Sequence, residues 1–495
     1  MPQSRFQRHG SVRSVGAILP LALVAAYVGS CAYVGWSQIA NASRRPGRKL
    51  FLRAVDAAKE LIPLEEWVEK EGATSTVRFA ELPGFGLSLT AGEEGVKAGQ
   101  TLLRVPSTLH ISPSSVLNTP IGDAVGGMDD DSALLALGLL QELAKGEKSR
   151  FQPYLKMLPD WDSMQVPILW PEDQRNRLLR GSHLLITTEQ LAGMLKEQWG
   201  YIWEALKDKP ELFPAEVFNE RNWMWAHAIC LTRALPFGNE LSLIPALDLA
   251  NHQLGSNTTC SIGVPAEDGS VKEINEMNEM QGDKVPEAVL TAGRDYAPGE
   301  QIFIDYDGGV GNRLSWEMLH TYGFVPGEEL PEVLAAGGRP LHFQGVSDED
   351  PLMKQKHALY EALGAGEEAA AGTWQDVRSH VKSCRAMAPL LRLAHLSSED
   401  GEIAEDLAAW RAEPQSTWAA IQRPLSPSNE KKVAQQILTA CSEALAELPS
   451  SEELGETLKV EESDVESTRA RLAAKVLLGE RVALEACTSV WQAVE

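Results

Sequence analysis

Residues 248–252 read DLANH, and this stretch is the first of three that together indicate the fold. Residues 299–306 read GEQIFIDY, an apolar strand pattern that ends in a tyrosine, and residues 322–324 read YGF. An Asn-His pair alone is a weak signal, because a histidine beside apolar residues is usually a hydrogen-bonded core residue. The shared order and spacing of three such segments is much harder to obtain by chance, and it points to a chemistry as well as to a fold.

The composition is that of a globular protein with a basic appendage. The 495 residues suffice for about two to four domains, and an apolar fraction of 44% favours folded cores over disorder. Residues 1–53 carry eight Lys and Arg and no Asp or Glu, so the net charge of −24 less this +8 leaves −32 on the rest. An acidic body repels phosphate backbones, which disfavours nucleic acid as a partner, whereas a basic protein tail would be attracted to it.

Several common site chemistries lack their sequence patterns. The six cysteines are scattered, with no C-x-x-C pair and no Cys/His cluster at the spacing of metal ligands. The sequence therefore predicts neither a metal site nor a disulfide framework, in keeping with a reducing compartment. Gly84-x-Gly86 does not read as a phosphate-binding loop, because no third glycine follows and no helix pattern begins there.

The amino-terminal segment combines a long apolar run with basic flanks. No charged residue lies between Arg13 and Arg44, and residues 15–36 are almost continuously apolar, long enough for a helix to cross a bilayer. Two interpretations stay open. The first is an uncleaved single-pass membrane anchor of undecided orientation; the second is a signal plus transit-like leader for a plastid, with the small-x-small sequence at 40–42 as its cleavage site.

Hydrophobic periodicity divides the rest of the chain into strand-rich and helical parts. It predicts a helix at 63–71, strands at 77–80, 84–89 and 102–106, a helical block from 131 to about 235, and further strands at 243–244, 261–264, 289–291 and 302–304. The acidic stretch 267–287 is expected to be an exposed loop insertion. Apolar stripes at 387–394, 433–444 and 472–484 predict a separate all-helical domain.

The chain resembles the SET-domain methyltransferases, and among them the Rubisco large-subunit lysine methyltransferase-like and actin-histidine methyltransferase-like branch. The motifs that carry the likeness extend from about 60 to 490. Besides the three opening segments they are GFGL at 84–87, FQPYL at 151–155, WA at 225–226, TRA at 232–234, Asn312, PLSPSNE at 424–430 and the helical stretch 471–484.

The resemblance implies an α+β architecture with a knotted SET β fold, in which the carboxyl segment threads through a loop near the Asn-His strand. The implied domains are a targeting or transmembrane segment with a hydrophobic helix (1–53), a SET domain (54–327) with a helical insertion at about 115–240, and an all-α substrate-binding domain (328–495). The implied cofactor is S-adenosyl-L-methionine, and the implied partner is a protein substrate.

The resemblance also assigns roles to residues. Tyr306 matches the catalytic tyrosine, whose hydroxyl would hold the acceptor amine in line with the methyl group. The implied cofactor contacts are the backbone at Pro83, Gly84 and Phe85 for the amino-acid end of the donor, Arg233 for its carboxylate, Asp248 to orient Arg233 or a substrate group, Asn251 and His252 for the adenine, and Gly323 and Phe324 packing beside them. Pro83 departs from the acidic residue common at this position, and a proline offers no backbone N–H.

The chemistry implied is transfer of a methyl group to a lysine side chain of a protein. A lysine with a pKa of about 10.4 must lose a proton at pH 7, which costs roughly 4–5 kcal/mol, and an apolar channel lowers that cost by desolvating the ammonium. Two alternatives stay open: methylation of histidine, and a catalytically silent SET scaffold that binds a partner. The number of methyl groups added and the oligomeric state are not fixed by the sequence.

Overall fold

The computed structural model describes residues 63–266, 271–274, 284–306, 313–327, 337–343, 345–363, 376–378, 388–397, 400 and 419–493. The predicted amino-terminal segment (1–53) lies outside these residues, as do Asn312 and the glycines at 308 and 309. Among the helices described, none is both long enough and apolar enough to cross a membrane.

Two larger sheets form most of the β part of the fold, beside two two-stranded pairs. One contains five strands in the order β1-β4-β10-β8-β9, and the other contains four in the order β2-β3-β11-β7. The bounds are β1 Thr74–Ser75, β2 Val77–Leu82, β3 Gly86–Ala91, β4 Thr101–Pro106, β7 Asn251–His252, β8 Thr259–Pro265, β9 Val271–Ile274, β10 Glu287–Thr291 and β11 Gln301–Ile304. Six of these strands contain or overlap segments predicted from periodicity. A helix at residues 63–70, α1, precedes them.

One strand pair determines where the opening segments meet. Strand β11 pairs antiparallel with β3 on one side and parallel with β7 on the other, in the register Phe303 to Asn251 and Ile304 to His252. Leu89 and Ile302 are partners across β3 and β11, and both are fully buried. The Asn-His pair therefore lies directly beside the strand that leads into Tyr306.

A block of helices lies in the chain between β4 and the hairpin formed by β5 (Leu235–Phe237) and β6 (Glu240–Ser242). Its helices are α2 Pro113–Leu117, α3 Pro120–Ala124, α4 Asp131–Lys145, α5 Gln152–Leu155, α6 Glu172–Leu178, α7 His183–Leu206 and α8 Glu220–Arg233. The Asp130 carboxylate caps α4 by accepting from the Ala133 N–H at 3.0 Å. The long apolar face of α4 packs against α8 and buries Trp223 completely.

Two local predictions are wrong. The strand expected at 243–244 lies instead at β6, and Leu243 makes only an isolated bridge to Ile111, because the apolar run continues into the loop beyond the hairpin. The stretch 267–287 is not simply a loop, since β9 within it pairs with β8. In β9 the charged residues Lys272 and Glu273 face solvent and Ile274 is buried. Exposed charges are common on edge strands, so the acidic composition of this stretch did not indicate a strand.

The carboxyl-terminal region is mostly helical, as predicted, but not entirely so. After α9 (Ser315–Tyr322) its helices are α10 Met353–Ala362, α11 Ala388–His395, α12 Pro427–Glu447, α13 Ser451–Lys459 and α14 Val465–Gln492. Strand β12 (Gly338–Pro340) pairs antiparallel with β13 (Asp376–Arg378), which corrects the all-α expectation. Strands of only three residues are too short to show an alternation of apolar and polar residues in sequence. The proposed domain boundaries stay predictions.

A buried polar cluster lies where α14 meets the start of α7. Glu480 of α14 is 1% exposed, and its Oε1 accepts from the Ser182 hydroxyl at 2.6 Å. Its Oε2 lies 3.6 Å from Nη1 of Arg339, which itself donates to the Gly181 carbonyl at 2.8 Å. Burial raises the pKa of Glu480 to about 7, although Arg339 and Ser182 oppose that shift, and burial lowers the pKa of neighbouring His183 to about 4.

Replacing Glu480 with glutamine should change how stability depends on pH. The pKa of Glu480 is about 7 in the folded protein and usually 4.5, so the folded state holds the extra proton between these values and stability falls as pH rises through them. The stability of Glu480→Gln relative to wild type should therefore be about 2–3 kcal/mol greater at pH 8 than at pH 5. Urea unfolding at both pH values measures this; a difference that is independent of pH would contradict it. Glu485→Gln, a half-exposed position on the same helix, is the surface control.

Candidate functional site

The glycine turn between β2 and β3 is open on its outer side. Gly84 and Gly86 have φ values of 81° and 67°, which favour glycine. No atom lies within 4 Å of the position that a Cβ would take at Gly84. The Phe85 N–H donates to the Leu82 carbonyl at 3.1 Å, and the Phe85 ring, 46% exposed, lies 5.5 Å from that of Phe303. The turn therefore leaves room for a ligand beside the strand that carries Phe303.

Ser88 connects the glycine turn to the Asn-His segment. The Asn251 side-chain amide donates to the Leu87 carbonyl at 3.1 Å and to the Ser88 hydroxyl at 2.8 Å. The Gln301 amide also donates to that hydroxyl, at 3.2 Å, and Ser88 in turn donates to the Gly86 carbonyl at 3.0 Å. Ser88 is fully buried, so this network fixes the amide of Asn251. Sequence reasoning missed Ser88; its one signal is a serine between apolar residues of a strand.

Tyr306 is bound to the Asn-His segment at two points. Its backbone N–H donates to Nδ1 of His252 at 3.1 Å, and its hydroxyl donates to the Ala250 carbonyl at 2.9 Å. Nδ1 of His252 accepts this hydrogen bond and also lies 3.8 Å from Oδ1 of Asp305. Burial raises the pKa of Tyr306 well above its usual value, so the hydroxyl keeps its proton.

The aromatic rings of the three opening segments form one group. The Tyr306 ring centroid lies 5.2 Å from that of His252, 4.7 Å from that of Tyr322 and 6.4 Å from that of Phe324. His252 and Phe324 are 5.9 Å apart. Distant parts of the chain thus meet as the sequence predicts, and the faces of aromatic rings at such spacings attract a cation.

Arg233, the last residue of α8, is held by a buried carboxylate. Its Nη1 donates to Oδ2 of Asp248 at 3.2 Å, and the Tyr154 hydroxyl donates to the same oxygen at 2.9 Å. The Asp248 side chain is fully buried, whereas that of Arg233 is 19% exposed. Burial raises the pKa of Asp248, and Arg233 and Tyr154 oppose this shift. Burial alone would lower the pKa of Arg233. Asp248 and Tyr154 outweigh that effect and raise the pKa above its usual value, so the guanidinium keeps its charge.

The backbone just before Asp248 is strained. Ala246, fully buried, has a φ of 70° and is the one non-glycine residue with positive φ in the described ranges. Such a conformation costs about 1–3 kcal/mol and persists only where its surroundings enforce it, which is common at functional sites. The strained residue precedes the short 3₁₀ turn Leu247–Leu249 that carries Asp248.

Gly323 ends α9 in a left-handed conformation, with a φ of 78°. A Cβ at this position would lie 2.9 Å from the backbone nitrogen of Val166 and 3.1 Å from the carbonyl carbon of Gln165, both in the block of helices between β4 and β5. Glycine is thus required both by φ and by close packing, and it sets the path of the chain from Tyr322 to Phe324.

Gly323→Ala should destabilise the protein and weaken the site. Gly99→Ala is the matched control, because Gly99 has a φ of 79° and no atom lies within 4 Å of its Cβ position. Both variants carry the left-handed strain, about 1–2 kcal/mol. The collision with Val166 should cost Gly323→Ala roughly 1–3 kcal/mol more. Urea unfolding compares the two, and equal losses would show that the packing contact has no energetic role.

The residues present fit the implied methyl donor. The guanidinium of Arg233 is partly exposed and pairs with the buried Asp248, and such a group suits the carboxylate of a ligand. An open glycine turn admits a ligand backbone, and a group of aromatic rings suits an adenine and a sulfonium. The Arg233 Nε is buried and has no hydrogen-bond partner among the described residues, which leaves hydrogen-bonding capacity at this point. Groups of acidic, histidine or cysteine side chains able to hold a metal ion do not occur in the described ranges.

Comparisons with known proteins agree with one another. The family model described as Rubisco LSMT substrate-binding matches residues 347–484. A chloroplastic Rubisco large-subunit N-methyltransferase of Nicotiana tabacum is 27% identical, covering 86% of this chain and 80% of the relative. The chloroplastic [fructose-bisphosphate aldolase]-lysine N-methyltransferase of Arabidopsis thaliana is 26% identical (90% and 86%), and N-lysine methyltransferase SETD6 of Homo sapiens is 22% identical (68% and 67%).

Solved structures show the same fold. That of Rubisco LSMT bound to AdoMet superposes with a TM-score of 0.69 at 23% identity, over 88% of this chain and 92% of the other. A structure of the same enzyme's SET domain bound to lysine and AdoHcy also gives 0.69, at 22% identity over 88% and 91%. The likeness therefore covers the helical carboxyl-terminal region as well as the sheets.

Proposed function

We infer that the chain is a SET-domain protein methyltransferase of the Rubisco large-subunit lysine methyltransferase-like branch, which uses S-adenosylmethionine to methylate a lysine side chain of a protein. The relatives and the solved structures support the predicted family, enzyme class and cofactor. The observation that carries the inference is that Asn251-His252 and Tyr322-Gly323-Phe324 both surround Tyr306. A silent scaffold would not require this arrangement of the hydroxyl and the aromatic rings.

The individual contacts to the donor are proposals. When bound, the donor supplies a methyl group on a cationic sulfur. Arg233 would bind its carboxylate, and the backbone at Pro83, Gly84 and Phe85 its amino-acid end. Pro83 can offer only its carbonyl. Asn251 and His252 would hold the adenine, with Gly323 and Phe324 beside it. Asp248 is fully buried and paired with Arg233, which supports the orienting role for its carboxylate.

Tyr306 would align the acceptor nitrogen. Its hydroxyl donates to the Ala250 carbonyl, so its position is fixed, and its ring lies within the aromatic group. The raised pKa of Tyr306 excludes it as a base that starts deprotonated. The lysine would instead lose its proton to solvent as the aromatic rings around Tyr306 desolvate the ammonium and lower its pKa. Catalysis then consists mainly of positioning two reactants.

The protein substrate and its location are the finer part of the proposal. The match of residues 347–484 to the family model described as Rubisco LSMT substrate-binding supports substrate capture by the helical region. Two relatives are named as chloroplastic, and the leader is basic and free of acidic residues, so we favour a plastid over the membrane anchor. Import of a fluorescent fusion into plastids, with and without residues 1–53, tests this; a fusion that stays with other membranes would restore the anchor.

The enzymatic proposal has a direct test. Full-length protein should bind S-adenosylmethionine in calorimetry and transfer tritiated methyl groups to proteins of a plastid extract. Mass spectrometry of the labelled protein should find methyl-lysine, whereas methyl-histidine would establish the alternative acceptor. Absence of both donor binding and labelling would overturn the assignment.

A further inference from the structure

Tyr154 is a buried tyrosine of the helical insertion whose hydroxyl binds Asp248 behind the proposed donor site. It lies on the short helix α5, is 2% exposed, and donates to Oδ2 of Asp248 at 2.9 Å. The two residues are 94 positions apart in the chain. The hydrogen bond therefore ties the insertion to the strained segment that precedes the Asn-His pair.

The orientation of the Asp248 carboxylate depends on two donors to a single oxygen. Oδ2 accepts from Tyr154 and from Nη1 of Arg233, whereas the buried Oδ1 has no hydrogen-bond partner within the part of the chain that the structure describes. A buried carboxylate held by one contact could turn about its terminal bond. The second donor from Tyr154 fixes that angle, and it also favours the charged form that Arg233 needs.

The direction of Arg233 depends in turn on Asp248. Nη1 contacts both Oδ2 and, at 3.4 Å, the backbone carbonyl of the same residue. The Nε has no hydrogen-bond partner in the described ranges, so Asp248 provides the contacts that hold the guanidinium. A shift of the carboxylate would therefore turn the guanidinium relative to the ligand.

We propose that Tyr154 is a positioning residue for the methyl donor: through Asp248 it holds Arg233 in the orientation that binds the donor carboxylate. The proposal rests on the proposed function. The new element is that the helical insertion takes part in donor binding without touching the donor.

The test is Tyr154→Phe, with binding measured by calorimetry for two ligands. S-adenosylmethionine should bind about tenfold more weakly to the variant, equivalent to about 1.4 kcal/mol. Decarboxylated S-adenosylmethionine, which has the same sulfonium and adenine but no carboxylate, should bind wild type and variant within about twofold. At saturating donor, kcat should stay within about twofold of wild type, since Tyr306 is untouched.

Tyr360→Phe is the matched control. Tyr360 is 1% exposed and its hydroxyl donates to the Leu390 carbonyl at 2.8 Å, in the helical carboxyl-terminal region. The Tyr360→Phe variant should lose about as much stability as Tyr154→Phe, and its affinity for the donor should be that of wild type. If Tyr154→Phe weakens both ligands equally, or weakens neither, the positioning role is wrong. If wild type itself does not bind S-adenosylmethionine, the proposed function fails first, so the two failures are distinguishable.

Discussion

Tyr306→Phe is expected to lower kcat by about 10²-fold or more while changing the Kd for S-adenosylmethionine by less than about threefold. The hydroxyl of Tyr306 is fixed by the Ala250 carbonyl, and its ring lies within the aromatic group. Phenylalanine preserves the ring contacts with His252 and Tyr322. The variant therefore removes only the group that would align the acceptor nitrogen.

The measurement is turnover at saturating donor and substrate, with donor affinity from calorimetry. Tyr296→Phe is the control in the same β region, because Tyr296 is 5% exposed and its hydroxyl is 2.7 Å from the Thr258 hydroxyl, outside the site. A Tyr306→Phe enzyme with the kcat of the Tyr296→Phe control would remove Tyr306 from the mechanism. It would leave the silent-scaffold alternative to be tested next.

Arg233→Met is expected to have the largest effect on stability and on donor binding together. Removing the guanidinium leaves the fully buried Asp248 without its cation, which typically costs about 3–5 kcal/mol. The donor carboxylate also loses its partner, so affinity should fall about 10²-fold. The loss of stability should shrink as pH is lowered, because burial raises the pKa of Asp248 and a protonated carboxyl needs no cation.

Arg177→Met is the control for the loss of an arginine ion pair. Arg177 and Glu466 are 2.5 Å apart, but their side chains are 59% and 56% exposed, so the cost should be at most about 1 kcal/mol. Urea unfolding at pH 5 and pH 8 and calorimetry with the donor give both quantities. Donor affinity that is unchanged in Arg233→Met would assign the carboxylate to another residue.

Periodicity and motif order predicted the parts of the site that are continuous in sequence. Strands β3, β4 and β11 are apolar runs bounded by turn residues, and the motifs at 248–252 and 322–324 are short and local. The meeting of these segments followed from a family resemblance, since periodicity does not specify which strands pair.

What the sequence could not predict depends on contacts between distant residues. The hydroxyl of Tyr154 reaches Asp248, and that of Ser88 reaches Asn251 163 positions away. Each of these residues has an ordinary apolar-strand or short-helix environment in sequence, so nothing local marks it. Strand β9 was missed because its exposed face is charged, and β12 with β13 because three-residue strands have no period.

The parallel contact between β7 and β11 also bears on how the enzyme becomes active as it folds. Hairpins such as β2–β3 close locally, but a parallel pair needs a long crossover, and here it brings together His252 and Tyr306, 54 positions apart. Such long-range pairing forms slowly because closing the loop loses chain entropy before the stabilising contacts are made. Donor binding should therefore appear late in refolding, after most of the local secondary structure, and donor affinity would report the completion of folding.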